Sequence, residues 1–307
     1  MTWRKIGFFA VPRGRYPWMY SHAQLPTPLL MDDRLVRVFF ASRTKEQRPH
    51  IAYADLSFDA DDDRFFVERI ASEPVLAPGP TGHFDEHGVY PSCVIRSDRT
   101  FYLYYIGWNL GVEAPLFYVS IGLAIGKDGK NFTPVSPSPI LSRSEFDPCF
   151  VTSPHVYVED GRWRMTYVSG VKWTRTVEGC LQSHYHIKLA EGVHPQEWKR
   201  EGRVAVDFAP GETNITRPTV IRDPEKGYRM WFSYIQSQIG KYRIGYAESE
   251  DGTVWRRKDE AAGIGIDNEH CREMIGYPAV FCLGSRLYML FNGDRRGEEG
   301  FGVARLS

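Results

Sequence analysis

Acidic side chains recur at one place in this chain. Asp85 and Glu86 precede Pro91, Asp147 precedes Pro154, Glu212 precedes Pro218 and Glu273 precedes Pro278, always by five to seven residues. The stretch "FDEHGVYPSCVI" (84 to 95) shows the pattern: Asp85, Glu86 and His87 crowd the approach to an apolar run. Carboxylates gathered at one site suit glycosidic-bond chemistry. One acid protonates the leaving oxygen; a second activates water or attacks the sugar. Neighbouring carboxylates raise one another's pKa, which keeps one protonated near neutrality. Tyr90, Trp108, Trp173 and Tyr277 offer flat faces for a sugar ring, and His22, His87 and Arg217 offer partners for hydroxyls. The plainer alternative is that acids near strand ends bind loop amides or face water. Tyr90 and Tyr277 equally suit packing between sheets.

These residues are positioned by a repeat. A step of thirteen residues leads from Pro26 to Phe39, Pro91 to Tyr104, Pro154 to Tyr167, Pro218 to Trp231 and Pro278 to Phe291. Each step spans an apolar run, a polar turn such as "RSDRT" or "EDGR", and a second run rich in aromatics. A third run closes each unit, ending at Ala54, Ala124, Ala190, Ala247 and Ala304. The Pro-to-Pro spacings are 65, 63, 64 and 60. A sustained all-β period of this length predicts a propeller with one four-stranded sheet per blade. Five units predict a five-bladed β-propeller forming a single domain over residues 1–307. The last unit stops after its third strand, so "KIGFFAV" near the N-terminus is expected to supply the fourth and close the ring. The segments before each Pro then converge on one channel mouth. Asp85 or Glu86 is expected to face Glu212 or Glu273 there, with Asp147 as a third acid. Arg217 is expected to lower the pKa of the carboxylate it touches.

Composition narrows the function classes. Lys and Arg total 38 and Asp and Glu 38, so nothing argues for a nucleic-acid or membrane-surface partner. The N-terminus shows no signal-peptide pattern, and no run is long enough to span a membrane. The five Cys are widely spaced without a CxxC pair, which predicts reduced thiols in a cytoplasmic protein rather than disulfides or zinc. His184 and His186 share a strand face but have no third ligand nearby in sequence, so zinc is not expected. His50, Ser120, His186 and Arg243 occupy matching places before the third strands, where contacts to neighbouring blades are expected.

The ordered set "FDEHGVYPSCVI", "YIGWN", "FDPCFVTSPHV", "ETNITRPTVI", "YRIGYAESEDGTVW" and "EMIGYPAVF" with "YMLFNGD" resembles the five-bladed propellers related to glycoside hydrolase families 43, 32 and 130. It resembles more closely a branch found among bacterial polysaccharide biosynthesis genes. The resemblance covers nearly the whole chain. It implies a carbohydrate-active enzyme cleaving or transferring a glycosidic bond, with hydrolase as the default and phosphorylase or transferase as variants. It also implies site roles for Asn109 and Asn292 beside the five acids and Arg217. Families 43 and 32 place catalytic Asp immediately before the strand Pro, where this chain has Leu25, Tyr90, Ser153, Arg217 and Tyr277. Their catalytic triad therefore does not transfer. No cofactor is implied beyond an axial Ca²⁺ or a phosphate co-substrate, and the expected partner is a small sugar, oligosaccharide or sugar conjugate. The competing readings are a non-catalytic sugar-binding propeller in glycan assembly and a scaffold using its outer strands.

Overall fold

The computed structural model describes residues 1–59, 64–225, 227–267 and 269–307. Strand β1 (Trp3–Ala10) comes first in sequence and is used last. A four-stranded antiparallel sheet follows, made of β2 (Ser21–Leu30), β3 (Leu35–Arg43), β4 (Pro49–Asp59) and β5 (Arg64–Ile70). A second contains β6 (Gly88–Ser97), β7 (Thr100–Leu110), β8 (Phe117–Gly126) and β9 (Phe132–Pro134). Next come β10 (Phe150–Glu159), β11 (Arg162–Arg175), β12 (Leu181–His194) and β13 (Glu197–Val206). They share one eight-stranded sheet with β14 (Glu212–Asp223), β15 (Gly227–Gln236), β16 (Tyr242–Ser249) and β17 (Arg256–Arg257). One parallel bridge, Tyr185 to Asn214, joins the two halves of that sheet. The last sheet has the order β1, β20 (Gly300–Leu306), β19 (Arg286–Asn292) and β18 (Gly276–Leu283).

The second strand of each unit is buried on both faces, because each sheet packs on the next. Phe39, Tyr104, Tyr167 and Trp231 are fully buried and Phe291 nearly so, which is the core role expected of the thirteen-residue step. Phe39 and Tyr53 pack against Leu103, Tyr105 and Phe132 of the second sheet. Tyr104 and Leu123 pack against Trp163 and Tyr167. Val168 and Ile187 meet Met230 and Phe232, and Trp231 and Tyr246 meet Met289 and Phe291. Phe281, Tyr288 and Phe301 of the last sheet then pack on Phe40 and Phe58 of the first.

The expected use of the N-terminal segment is seen. β1 runs antiparallel to β20 from Trp3 opposite Leu306 to Ala10 opposite Gly300. Trp3 is buried and meets Trp231 edge-on, with ring centroids 5.6 Å apart. Phe9 stacks on Phe301 at 4.7 Å.

Every first strand breaks register at its proline. The shifts lie between Gln24 and Thr27, Pro91 and Cys93, Thr152 and His155, Thr216 and Thr219, and Gly276 and Ala279. Proline has no N–H for the ladder, so the pairing must skip there. In four units the preceding residue is left-handed: Leu25 (φ 55°), Ser153 (φ 47°), Arg217 (φ 55°) and Tyr277 (φ 56°). That conformation is costly for residues with a Cβ. It turns these side chains off the sheet face that the ladder would assign.

Removing residues 1–10 takes away Trp3, Phe9 and the outer pairing partner of β20. We expect a large loss of stability, read as a fall in the thermal midpoint together with aggregation through the bared β20 edge. Trp3→Ala alone is expected to cost about 3–5 kcal/mol in denaturant titration. A deletion variant as stable as the full chain would contradict this account of closure.

Candidate functional site

Where the first strands meet, the chain encloses a cavity of about 650 Å³. Its wall is a continuous aromatic collar. Tyr90 lies edge-on to Trp108, which stacks on Phe117 at 4.6 Å. Phe117 meets Trp173, Trp173 meets Phe150, and Phe150 meets Tyr185. The hydroxyls of Tyr185 and Tyr242 hydrogen-bond at 2.7 Å, and Tyr242 packs on Tyr277 at 5.0 Å. Burial raises the Tyr90 pKa, takes Tyr185 up to about 12 and carries Tyr242 well above its ordinary value, so these phenols stay protonated at neutral pH. Between the rings the wall presents Gln24, Gln182 and Asn214, the hydroxyls of Ser153 and Thr216, and two cations, Arg43 and Arg296. No carboxylate occurs among the described lining residues.

The structure thus brings together Tyr90, Trp108, Trp173 and Tyr277 of the expected site, and it does not bring the five acids together. Asp85 is buried and accepts a hydrogen bond from the Tyr105 hydroxyl at 3.2 Å. Burial raises its pKa, partly offset by that bond. Glu86 accepts the Gly82 amide at 2.6 Å and lies 3.3 Å from the His87 ring. Asp147 is fully buried and takes the Tyr167 hydroxyl at 3.1 Å, Ser144 Oγ at 3.0 Å and Arg200 at 2.8 Å. Lys188 Nζ stands 3.7 Å away. Glu212 receives two bonds from Arg257, at 2.7 and 2.6 Å, and the Ala209 amide at 2.9 Å. Glu273 is exposed and pairs with Lys241 at 2.7 Å. The expected facing of Asp85 or Glu86 with Glu212 or Glu273 across the mouth is therefore not the arrangement found. Asp85, Glu86, Asp147 and Glu212 are held by amides, phenols and cations at their own lead-in segments, and Glu273 faces solvent.

The remaining expected residues also brace the fold. Arg217 touches no carboxylate. It donates to Ser92 O at 2.5 Å, Ser92 Oγ at 3.1 Å, Pro26 O at 3.0 Å and Thr27 Oγ1 at 2.7 Å. Burial lowers its pKa to about 10, so it stays charged at neutral pH and tunes no acid. Asn292 accepts the Leu25 amide and donates to Ala23 O and Gly300 O, each at 2.9 Å. Asn109 donates to His83 O at 3.1 Å. His22 sits outside the collar, 2.8 Å from Ser21 Oγ. Its pKa falls to about 4, first through burial and then through Arg43 and Arg13, so its ring is neutral at pH 7.

Sequence reasoning missed Arg43, Tyr185, Tyr242 and Arg296. A signal existed for the two tyrosines. His186 and Arg243 were noted before the third strands; the residue before each points to the opposite sheet face. Those residues are Tyr185 and Tyr242, with Val119 in the second unit, and all three line the cavity. Arg296 had no such signal, because it stands in the short connection Asp294–Gly297 between β19 and β20.

The fold matches solved enzymes over nearly its full length. A thermostable family-43 glycoside hydrolase aligns with TM-score 0.68 and 17% identity, covering 97% of this chain and 93% of the other. The Listeria innocua β-1,2-mannobiose phosphorylase aligns with TM-score 0.71 and 12% identity, covering 100% and 96%. The endo-arabinase from Bacteroides thetaiotaomicron VPI-5482 gives TM-score 0.63 and 15% identity, covering 98% of each. The chain therefore has the propeller fold of the glycoside hydrolase 43, 32 and 130-like enzymes. No family model matches it. In sequence it is 35% identical to the Mycobacterium tuberculosis proteins MT1551 (strain CDC 1551 / Oshkosh) and Rv1502 (strain ATCC 25618 / H37Rv), both described as uncharacterized. Each match covers 100% of this chain and 99% of the relative, and the chain belongs to their family.

Amide substitutions separate these roles. Asp147→Asn should lower stability by about 3–5 kcal/mol, because Lys188 and Arg200 lose their buried carboxylate, and Glu212→Gln should cost less, because Arg257 keeps Asp259. Glu273→Gln should stay within about 0.5 kcal/mol. Asp85 should make stability pH-dependent. Its raised pKa means that its contribution is complete below the ordinary aspartate range and is lost as pH rises through the folded value. Asp85→Asn should remove that component from the stability–pH curve measured by denaturant titration.

Proposed function

We propose that the protein is a carbohydrate-active, five-bladed propeller forming one domain, and that its axial cavity binds a sugar or oligosaccharide. The blade count follows from dividing the eight-stranded sheet at its single parallel bridge, which leaves five four-stranded units. The collar carries the functional reading. Aromatic faces stack on the apolar face of a sugar ring, and the amides and hydroxyls between them suit its hydroxyl groups. Trp108 and Trp173 are half-buried and both line the cavity. All five cysteines are free, which supports a reducing, cytoplasmic setting, with glycan assembly as the proposed context.

Recognition is the reading this cavity supports best, since cleavage by paired carboxylates needs acids that it does not present. One observation favours a second reading, an enzyme acting on a glycosidic bond. Four of the five pre-proline residues keep a strained backbone, and three of these, Leu25, Ser153 and Tyr277, line the cavity. Strain of this kind gathers at functional sites. In such an enzyme the bond would break without the five lead-in acids, for instance with hydrogen phosphate attacking the anomeric carbon and its proton passing to the leaving oxygen, which gives a sugar 1-phosphate and a free hydroxyl.

Both readings are tested on one panel of neutral and acidic oligosaccharides. Binding is followed by tryptophan fluorescence and turnover by product chromatography, with and without phosphate. We expect saturable binding, weakened about tenfold in Trp108→Ala or Trp173→Ala through lost stacking area. Any turnover should survive Glu86→Gln and Glu273→Gln. A fall of about 10²-fold in either folded variant would restore the carboxylate mechanism.

A further inference from the structure

The cavity is polarised. Its collar is apolar and neutral, while Arg43 and Arg296 stand together on the side formed by the first and last sheets. A smaller cavity of about 330 Å³ adjoins it and shares Arg43, Tyr242 and Arg296. That space is also lined by His22, Lys241 and Arg295, and no carboxylate occurs among its described lining residues. Two guanidinium groups therefore flank a concave space with no opposing charge in its wall.

The partners of these arginines sharpen the point. Arg43 donates to Gln24 at 2.8 Å and to Gln47 at 3.2 Å, both neutral, and its Nε is buried without a partner. Arg296 makes no hydrogen bond or ion pair with a described residue. The phenols of Tyr277, Tyr242, Tyr185 and Tyr90 line the same cavity, and their electrostatic influence favours its charged form. Protonated phenols supply lone pairs but no counter-charge. The side chain is enclosed by the bowl yet still exposed to solvent.

The turn that carries Arg296 is held in an unfavourable shape. Arg295 (φ 52°) and Arg296 (φ 57°) are both left-handed. Asp294 fixes the start of the turn by accepting the amides of Arg272, Glu273 and Met274 at 3.0, 2.8 and 3.0 Å. Asn292 lies under its end, where a Cβ at Gly297 would come within 2.2 Å of Asn292 Nδ2. Asn292 and Asp294 are thus positioning residues for Arg296. Two like charges beside a low-dielectric wall repel, and an anionic group placed between them removes that cost while making charge-assisted bonds.

We infer that Arg296 and Arg43 form an anion subsite of the axial cavity, which takes a phosphate or carboxylate group carried by the bound sugar. The inference rests on the carbohydrate reading above for its ligand and on the arginine pair for its charge. The two sources of the anion differ in pH behaviour. A phosphate monoester gains its second charge near pH 6, so its affinity should rise between pH 5 and 7. A sugar carboxylate is already ionised there and should give a flat profile. The titratable groups that share this space with the pair are His22, Lys241, Arg295 and the tyrosines; His22 is already neutral in this window, its pKa lowered to about 4 first by burial, and burial raises the phenols of Tyr90, Tyr185 and Tyr242.

The test is calorimetric titration of the full chain with inorganic phosphate and with matched sugar pairs, glucose against glucose 6-phosphate and against glucuronate. Arg296→Gln, Arg43→Gln and Arg296→Lys are compared, with thermal melts to confirm folding. The expected result is tighter binding of the acidic member, weakened by salt, with the preference cut about tenfold or more in either Gln variant. Arg296→Lys should keep part of it, and in both Gln variants affinity for the neutral sugar should fall by less than affinity for its acidic partner. Equal affinity for neutral and acidic sugars in the wild type, or a preference untouched in both Gln variants, overturns the subsite. If Arg296→Gln does not fold, Arg43→Gln decides. Arg296-dependent phosphate binding with no sugar bound would sink the carbohydrate reading while supporting the anion subsite.

Discussion

One buried cation ties the first strands together. Arg217 leaves β14 from a left-handed backbone and reaches Pro26 and Thr27 on β2 and Ser92 on β6. Carbonyl and hydroxyl oxygens of two other sheets accept from both terminal nitrogens of its guanidinium. Neighbouring contacts repeat the logic: Ser92 Oγ donates to Pro154 O and Thr219 Oγ1 to Pro278 O, both at 2.8 Å. Thr216 Oγ1 lies 3.4 Å from Ser153 Oγ. The prolines break the ladder, and polar side chains of other units donate to the carbonyls of Pro26, Pro154 and Pro278. Without such partners these buried carbonyls would carry an uncompensated desolvation cost. The skipped register, the axial belt and the cavity above it therefore share one cause, which is a proline inside every first strand.

The lead-in acids solve a local problem at the outer end of the same strands. Asp85 and Asp147 each sit twenty residues before the tyrosine they bind, Tyr105 and Tyr167. At the corresponding step from Glu212 the chain has Phe232, which has no hydroxyl to offer. Arg257 takes the part instead, bonding Glu212 and Asp259 while its guanidinium covers Phe232 and Tyr234. In the last unit Glu273 faces solvent, and Asp294 from the β19–β20 connection holds the lead-in amides in its place. Different residues thus do the same work of anchoring a loop to the strand beneath it. That work consumes the acidity which, read along the sequence, looked available for catalysis.

What the sequence makes legible follows from periodicity. Proline, a thirteen-residue step and a closing alanine fixed the strand order, the buried aromatics and the use of β1, because strand pairing and burial repeat with the chain. Tyr90, Trp108, Trp173 and Tyr277 were legible for the same reason, since they lie on or beside first and second strands. The direction of a side chain at a bulge is not periodic. A left-handed residue points away from where alternation would put it, so the path of Arg217 could not be read from spacing, and the acids lie ahead of the proline bulges, where the repeat sets no direction. Arg296 was less legible still. Its place depends on a strained turn braced by Asn292, whose partners Ala23 and Leu25 lie more than two hundred residues away.

Charge is consequently sorted within a chain whose net charge is zero. Acids of the second, third and fourth units are spent inside loops, while the first and last units turn arginines toward the axis. At close range in a partly dry site, a unit charge is worth about 4 kcal/mol at an effective dielectric near 20. Sorting on this scale outweighs the even balance of the whole molecule. It also explains why the strained turn at Arg295 and Arg296 survives. The turn's shape is set by hydrogen bonds to Asp294 and Asn292, which sacrifice nothing in the cavity and hold a cation above it. A wall of neutral aromatics cannot choose between sugars of similar shape, because stacking is tolerant of the ring it meets. Fixed cations at one edge supply the missing discrimination, since they favour a ligand whose charge lies at the matching end and orient it as it enters.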